Sequence, residues 1–63
     1  MKVYVVCKTY DYEGEALDGV YAKREDAVDR ANEINRRRKL PWGSDDKICC
    51  DGVEVYEEEV LDV

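Results

Sequence analysis

The sequence predicts an α+β domain: a small four-stranded antiparallel sheet with one helix packed on one face, in the order β-β-α-β-β. Three observations predict it. A β-branched and aromatic run opens the chain, apolar residues recur at helical spacing through its middle, and two short β-branched runs flank Asp51-Gly52 near its end. At 63 residues the chain is read as one domain, 1–63. So short a chain buries only about 60% of the surface its unfolded form exposes, so each buried side chain carries weight.

Lys2 to Lys8 (KVYVVCK) is the first strand, and both of its faces are apolar, with Val3, Val5 and Cys7 on one and Tyr4 and Val6 on the other. Such a strand belongs at the centre of a sheet. The expected arrangement turns Val3, Val5 and Cys7 toward the helix and leaves Tyr4 and Val6 on the uncovered face, joined there by Tyr21 or Tyr56. Residues 15 to 21 are its antiparallel partner, and Thr9 to Gly14 (TYDYEG) is the connecting loop, with Gly14 as the residue able to adopt φ > 0.

The helix is predicted from Lys23 to Lys39. At 100° per residue Ala27, Ala31 and Ile34 fall within about 60° of one another, with Val28 at the edge of the stripe. Asp26 with Arg30 and Glu33 with Arg37 stand at the favourable acid-before-base spacing. Arg36, Arg37, Arg38 and Lys39 complement the macrodipole in the last turn. Glu25 stands where the acid of a capping box would stand, but Ala22, three residues earlier, has no acceptor, so the first turn is expected to be soft. Pro41 ends the helix.

Residues 41 to 46 form a loop carrying Trp42, either a plug under the helix end or an exposed anchor. Lys47 to Cys50 and Val53 to Val60 then read as strands joined by a type I′ turn at Asp51-Gly52. In the last strand Val53, Val55, Glu57 and Glu59 share one face and Glu54, Tyr56, Glu58 and Val60 the other. A bulge near Glu57-Glu58 is expected to return Leu61 to the core.

Composition narrows the function. With 44% hydrophobic and 41% charged residues, the chain has the β-branched and aromatic content that disordered segments lack. No apolar run approaches the roughly 18 residues of a membrane span, and Met1-Lys2 leads straight into a strand, so a cytoplasmic protein without a membrane partner is expected. There is no histidine, which excludes Ser-His-Asp and Cys-His catalysis. Cys7, Cys49 and Cys50 read as free thiols, with a strained Cys49–Cys50 disulfide as the alternative, and a zinc site would have to borrow carboxylates. Glu57, Glu58 and Glu59 alternate faces on a strand, and the four glycines are isolated rather than gathered in a phosphate-binding loop. No enzyme activity, metal or cofactor is expected.

Residues 23 to 39 hold seven of the ten Lys and Arg against four acids, a local balance of +3 within a chain of net charge −6, so the remainder carries −9. That field disfavours nucleic acid over most of the molecule and favours a basic protein partner. One helix covers only one side of a sheet, so the other face pairs with a second copy, meets another protein, or lies under long charged side chains. In the loop, Tyr10 and Tyr12 alternate with Asp11 and Glu13, an acidic aromatic knob fit for a basic pocket unless one tyrosine folds back as a lid. Tyr4, Tyr10, Asp11, Tyr12, Glu13 and Trp42 are therefore the candidate protein-binding residues.

The pieces "MKVYVV", "DYEG", "GVYAKREDA" and "VEVYEEEVLD" together resemble a group of small uncharacterised proteins of bacteria and their phages. The resemblance spans nearly the whole chain in short pieces. It departs at Ala22, where the group often has Ser or Thr, and at "RRRKLPWGSDDKICC". It implies a mobile-element accessory protein, a class that includes small acidic, anti-CRISPR-like inhibitors of host defence. These bind a host protein stoichiometrically, often over a basic nucleic-acid channel. A regulatory or structural module that dimerises through its sheet is the alternative, and a nucleic-acid binder using Arg36 to Lys39 the third.

Overall fold

The structure, a computed structural model, describes residues 1–61. It contains β1 (Lys2–Tyr10), β2 (Gly14–Tyr21), α1 (Arg24–Arg38) and β3 (Gly52–Glu59). The strands form an antiparallel sheet of order β2-β1-β3, so the strand apolar on both faces is the central one, as predicted.

The predicted fourth strand is absent: Lys47 to Cys50 is not a strand but a segment folded against the end of α1. The last carbonyls of a helix have no partner within it, and this segment supplies donors. The Ile48 N–H reaches Arg37 O at 3.4 Å, and Lys47 Nζ donates to Arg38 O and Leu40 O, both at 2.8 Å. The Ile48 N–H and the Lys47 ammonium are thus engaged at the helix end rather than in a sheet. Asp51-Gly52 is likewise not a type I′ turn, which needs φ > 0 at both central residues. Among the described residues only Gly14 and Gly43 have positive φ. The Asp51 N–H instead bonds Thr9 O at 2.8 Å, extending the pairing of β1 with β3.

β3 runs in unbroken register from Gly52 opposite Thr9 to Glu59 opposite Lys2, so the bulge expected at Glu57-Glu58 is not there. Leu61 remains 83% exposed rather than returning to the core. A bulge lies in β2 instead: Val6 faces Gly19 and Cys7 faces Leu17, leaving Asp18 as the extra residue. Asp18 accepts two hydrogen bonds from Arg30, at 2.8 and 3.0 Å, with its side chain only 7% exposed. This bidentate pair replaces the expected Asp26–Arg30 contact, whereas the expected Glu33–Arg37 pair forms at 2.7 Å. Arg30 holds the Asp18 carboxyl below the usual carboxylate range by hydrogen bonding and charge, against the opposing effect of burial.

Val6, Ala27 and Ile34 are fully buried, with Tyr4, Tyr21, Ile48, Cys50, Val53 and Val55 packed around them. The two faces of β1 are therefore reversed from the expectation: Tyr4 and Val6 meet the helix, and Val3, Val5 and Cys7 point away. Register is the reason. Val6 lies opposite Val55 and Tyr4 opposite Tyr21, with Val53 two residues along from Val55, which gathers apolar side chains on that face at the middle of the sheet. On the other face Val3 and Cys7 lie opposite Glu58 and Glu54. Small residues at 27 and 31 let the helix approach, and Gly19 leaves room for the Tyr21 ring, whose atoms would stand 3.2 Å from an added Cβ. The N-cap falls on Lys23, one residue later than the Ala22 expected from sequence, and it makes no side-chain capping hydrogen bond.

Candidate functional site

Two surfaces remain outside the core. The first is the open face of the sheet, built by alternation on three strands: Val3, Val5, Cys7 and Thr9 on β1, with Glu15, Leu17 and Val20 opposite on β2 and Glu54, Tyr56 and Glu58 on β3. Leu17 is 65% and Val20 54% exposed, a small apolar stripe. Tyr56 crosses β1 on this face and donates its hydroxyl proton to the Glu15 carboxylate. Cys7, between them in register, is almost buried despite standing on the uncovered side.

The bridge perturbs the tyrosine. Hydrogen bonding to Glu15, reinforced by desolvation and by the acids nearby, pushes the Tyr56 phenol up to about 12. Burial raises the Cys7 thiol, and the charges of Glu15 and Asp18 add to the effect. Cys7 is thus held as the thiol, the unreactive form.

Charge is distributed unequally between the sides. Among the described residues the open face bears three glutamates, Glu15, Glu54 and Glu58, and none of the ten Lys and Arg. Lys2 and Lys8 alternate onto the helix side of β1, where Lys2 pairs with Glu57 at 2.9 Å. The remaining cations lie on α1, beside its ends, or at Lys47.

The second surface is the end of the sheet beside the helix C-terminus. Here Tyr10, Arg38, Trp42, Lys47, Cys49 and Asp51 are among the residues lining an open groove of about 430 Å³. Trp42 is 84% exposed, so it lies at the surface and is not a plug under the helix. Lys47 Nζ sits 4.9 Å from its ring centroid, a cation–π contact. The three-residue connection Asp11 to Glu13 stands next to this groove: Asp51 accepts the Asp11 N–H at 2.7 Å, and Gly14 closes the turn with φ 86°. Tyr12 is fully exposed and Tyr10 half-buried, so Tyr12 does not fold back as a lid.

The structure brings together five of the six residues singled out from sequence, Tyr10, Asp11, Tyr12, Glu13 and Trp42, at one end of the molecule. It separates Tyr4, which packs against the core and lines a shallow groove with Arg24, Val28, Val55 and Glu57. Sequence reasoning did not assign Glu15, Leu17, Val20, Glu54, Tyr56 and Glu58 to a site. The Glu-x-Tyr-x-Glu alternation at 54, 56 and 58 was the available signal. The basic run is partly engaged within the helix: Glu33 serves both Arg36 and Arg37, and Arg38 Nε donates to Asn35 Oδ1 at 3.0 Å. Cys49 and Cys50 are free thiols. Among the described residues no three His, Cys, Asp or Glu side chains converge as a metal ion would require.

Residues 1–62 match the family model described as "Domain of unknown function (DUF7336)". The chain belongs to the DUF7336 family. The match takes in every element of the fold, so the sheet, its open face and the aromatic end all lie within the DUF7336 domain. No curated protein and no solved structure matches the chain. No helix of this DUF7336 domain is long and apolar enough to cross a membrane among the described residues.

Proposed function

We propose that this protein is a non-enzymatic binding module that docks the open face of its sheet onto a basic protein surface, one partner per copy. The observation that carries the reading is the composition of that face: an exposed apolar stripe of Leu17 and Val20, an aromatic at Tyr56, three glutamates and no cation. An apolar stripe along one side of the face with acids of a single sign around it supplies contact area and an electrostatic preference together. The same composition disfavours pairing of this face with its own copy. A two-fold axis would bring two sets of Glu15, Glu54 and Glu58 against each other with no Lys or Arg between them. If the resemblance to phage accessory proteins extends to role, this is the surface that would occlude a basic region of a host protein.

The test is capture on the immobilised chain at low and high salt, followed by measurement of the purified pair in solution. The expected result is a partner bound one to one, released by salt, and lost with Glu54→Lys plus Glu58→Lys or with Leu17→Lys. A partner retained undiminished by these variants, or a salt-insensitive homodimer abolished by Val20→Lys, would overturn the reading.

A further inference from the structure

The aromatic end of the molecule carries both halves of a contact, side by side. One half is a knob: Tyr12, fully exposed and touching nothing else in its own chain, between Asp11 and Glu13. The other is the groove of Tyr10, Arg38, Trp42 and Lys47, which presents two aromatic rings and two cations. We propose that a second copy of this chain occupies the groove, each copy placing Tyr12 against the other's Trp42 and Tyr10, with Asp11 and Glu13 facing Arg38 and Lys47.

Three features support a reciprocal arrangement. A two-fold axis carries a patch onto itself, so a patch holding knob and socket together closes with two copies and leaves neither unfilled. The knob is already ordered, by the Asp11–Asp51 hydrogen bond and the Gly14 turn, so little conformational freedom remains to be lost on docking. The charges are opposite within the patch even though the whole chain is at −6. This end is separate from the open sheet face, so a dimer built here leaves that face of each copy free. The proposal therefore stands or falls independently of the partner-binding reading. The contact is a modest one: about 600 Å² per copy would be roughly an eighth of the chain's 4817 Å² surface, at the small end of specific interfaces. A concentration-dependent dimer is expected.

Charge exchange tests it with the full chain. One variant carries Asp11→Lys and Glu13→Lys, the other Arg38→Glu; the Asp11–Asp51 bond uses the Asp11 backbone and survives the first. Sedimentation over a concentration series should show the unmodified chain dimerising and each variant alone at least roughly tenfold weaker, with Tyr12→Ala similar. An equimolar mixture of the two variants should recover much of the dimer, because one of the two reciprocal contacts is then unmodified and the other sets the introduced lysines against the introduced glutamate, with only Lys47 left opposing them. Trp42 emission should shift with the same concentration dependence. Circular dichroism establishes that each variant is folded, and recovery on mixing cannot come from misfolded chains. A chain monomeric throughout the series, a dimer indifferent to these substitutions, or folded variants that stay monomeric when mixed would overturn the proposal.

Discussion

The two faces of the sheet share one central strand and meet opposite fates. Val5 and Val6 are the same residue type, adjacent on β1, yet Val6 is fully buried and Val5 only half-buried. Val6 has Val55 opposite and Ala27 and Ile34 above it. Val5 lies between Val20 and Tyr56, both partly open to solvent. Burial here is decided by what lies across the strand and above it, not by the strand's own residues. The strand cations follow the same division: Lys2 and Lys8 fall on the helix side, where Glu57 and Glu59 also lie, whereas the open side has Glu15, Glu54 and Glu58 and no cation. In a chain this small, one face holds the fold together and the other is available for contact.

Removing part of the covered face should have the largest effect. Ile34→Ala cuts back the largest of the three fully buried side chains in the helix–sheet core, at a cost of about 3 kcal/mol. A domain of this length has roughly 3 to 9 kcal/mol in total, so denaturant unfolding should show a variant close to its threshold. Next is Asp18→Asn, which leaves Arg30 without its charged partner at the edge of that face. Unfolding should register a loss of about 2 kcal/mol. Because the Asp18 carboxyl is lowered in the folded state, its contribution is present above the ordinary carboxylate value and disappears as pH falls through the folded one. The stability gap between the two chains should therefore close on acidification below about pH 4.

The open face should behave in the contrary way. Leu17→Lys is expected to change stability by no more than about 0.5 kcal/mol while abolishing partner binding; a large loss of stability would mean that this face is also part of the core. The smallest effect belongs to Tyr56→Phe. With its phenol raised to about 12, Tyr56 contributes stability that is present below its unfolded value near 10 and lost as pH rises toward 12. Subtracting the variant's stability–pH profile from that of the unmodified chain should leave a small difference that vanishes in this window. A difference unchanged across it would mean that the Glu15 bridge is not populated in solution.

Much of this was legible beforehand because it is local. The central strand follows from the β-branched and aromatic run Val3 to Val6, the helix from the spacing of Ala27, Ala31 and Ile34, and its end from Pro41. Gly14 follows from the conformational freedom that a tight connection demands. The acidic tyrosine loop and Trp42 could be singled out from their types and positions, but whether Trp42 is a plug under the helix or exposed, and whether a tyrosine folds back, was decided by the structure. Tyr4 could not be placed correctly, because a strand apolar on both sides contains nothing that says which side the helix will choose.

By itself, then, the sequence determined the α+β class, the central strand, the helix with its uncapped start, and the acidic balance outside it. Each depends on residue type and short-range periodicity. Only the tertiary structure decided which face of β1 is covered, since that depends on the register of Val53 and Val55 against it. It also decided that Lys47 to Cys50 lies against the helix C-terminus instead of forming a strand, where the Ile48 N–H and the Lys47 ammonium reach carbonyls that the helix leaves without internal partners. The bulge at Asp18 and the gathering of Tyr12, Trp42 and Arg38 at one end likewise depend on residues distant in the chain. Periodicity within a segment carries no information about partners that only the folded backbone brings together.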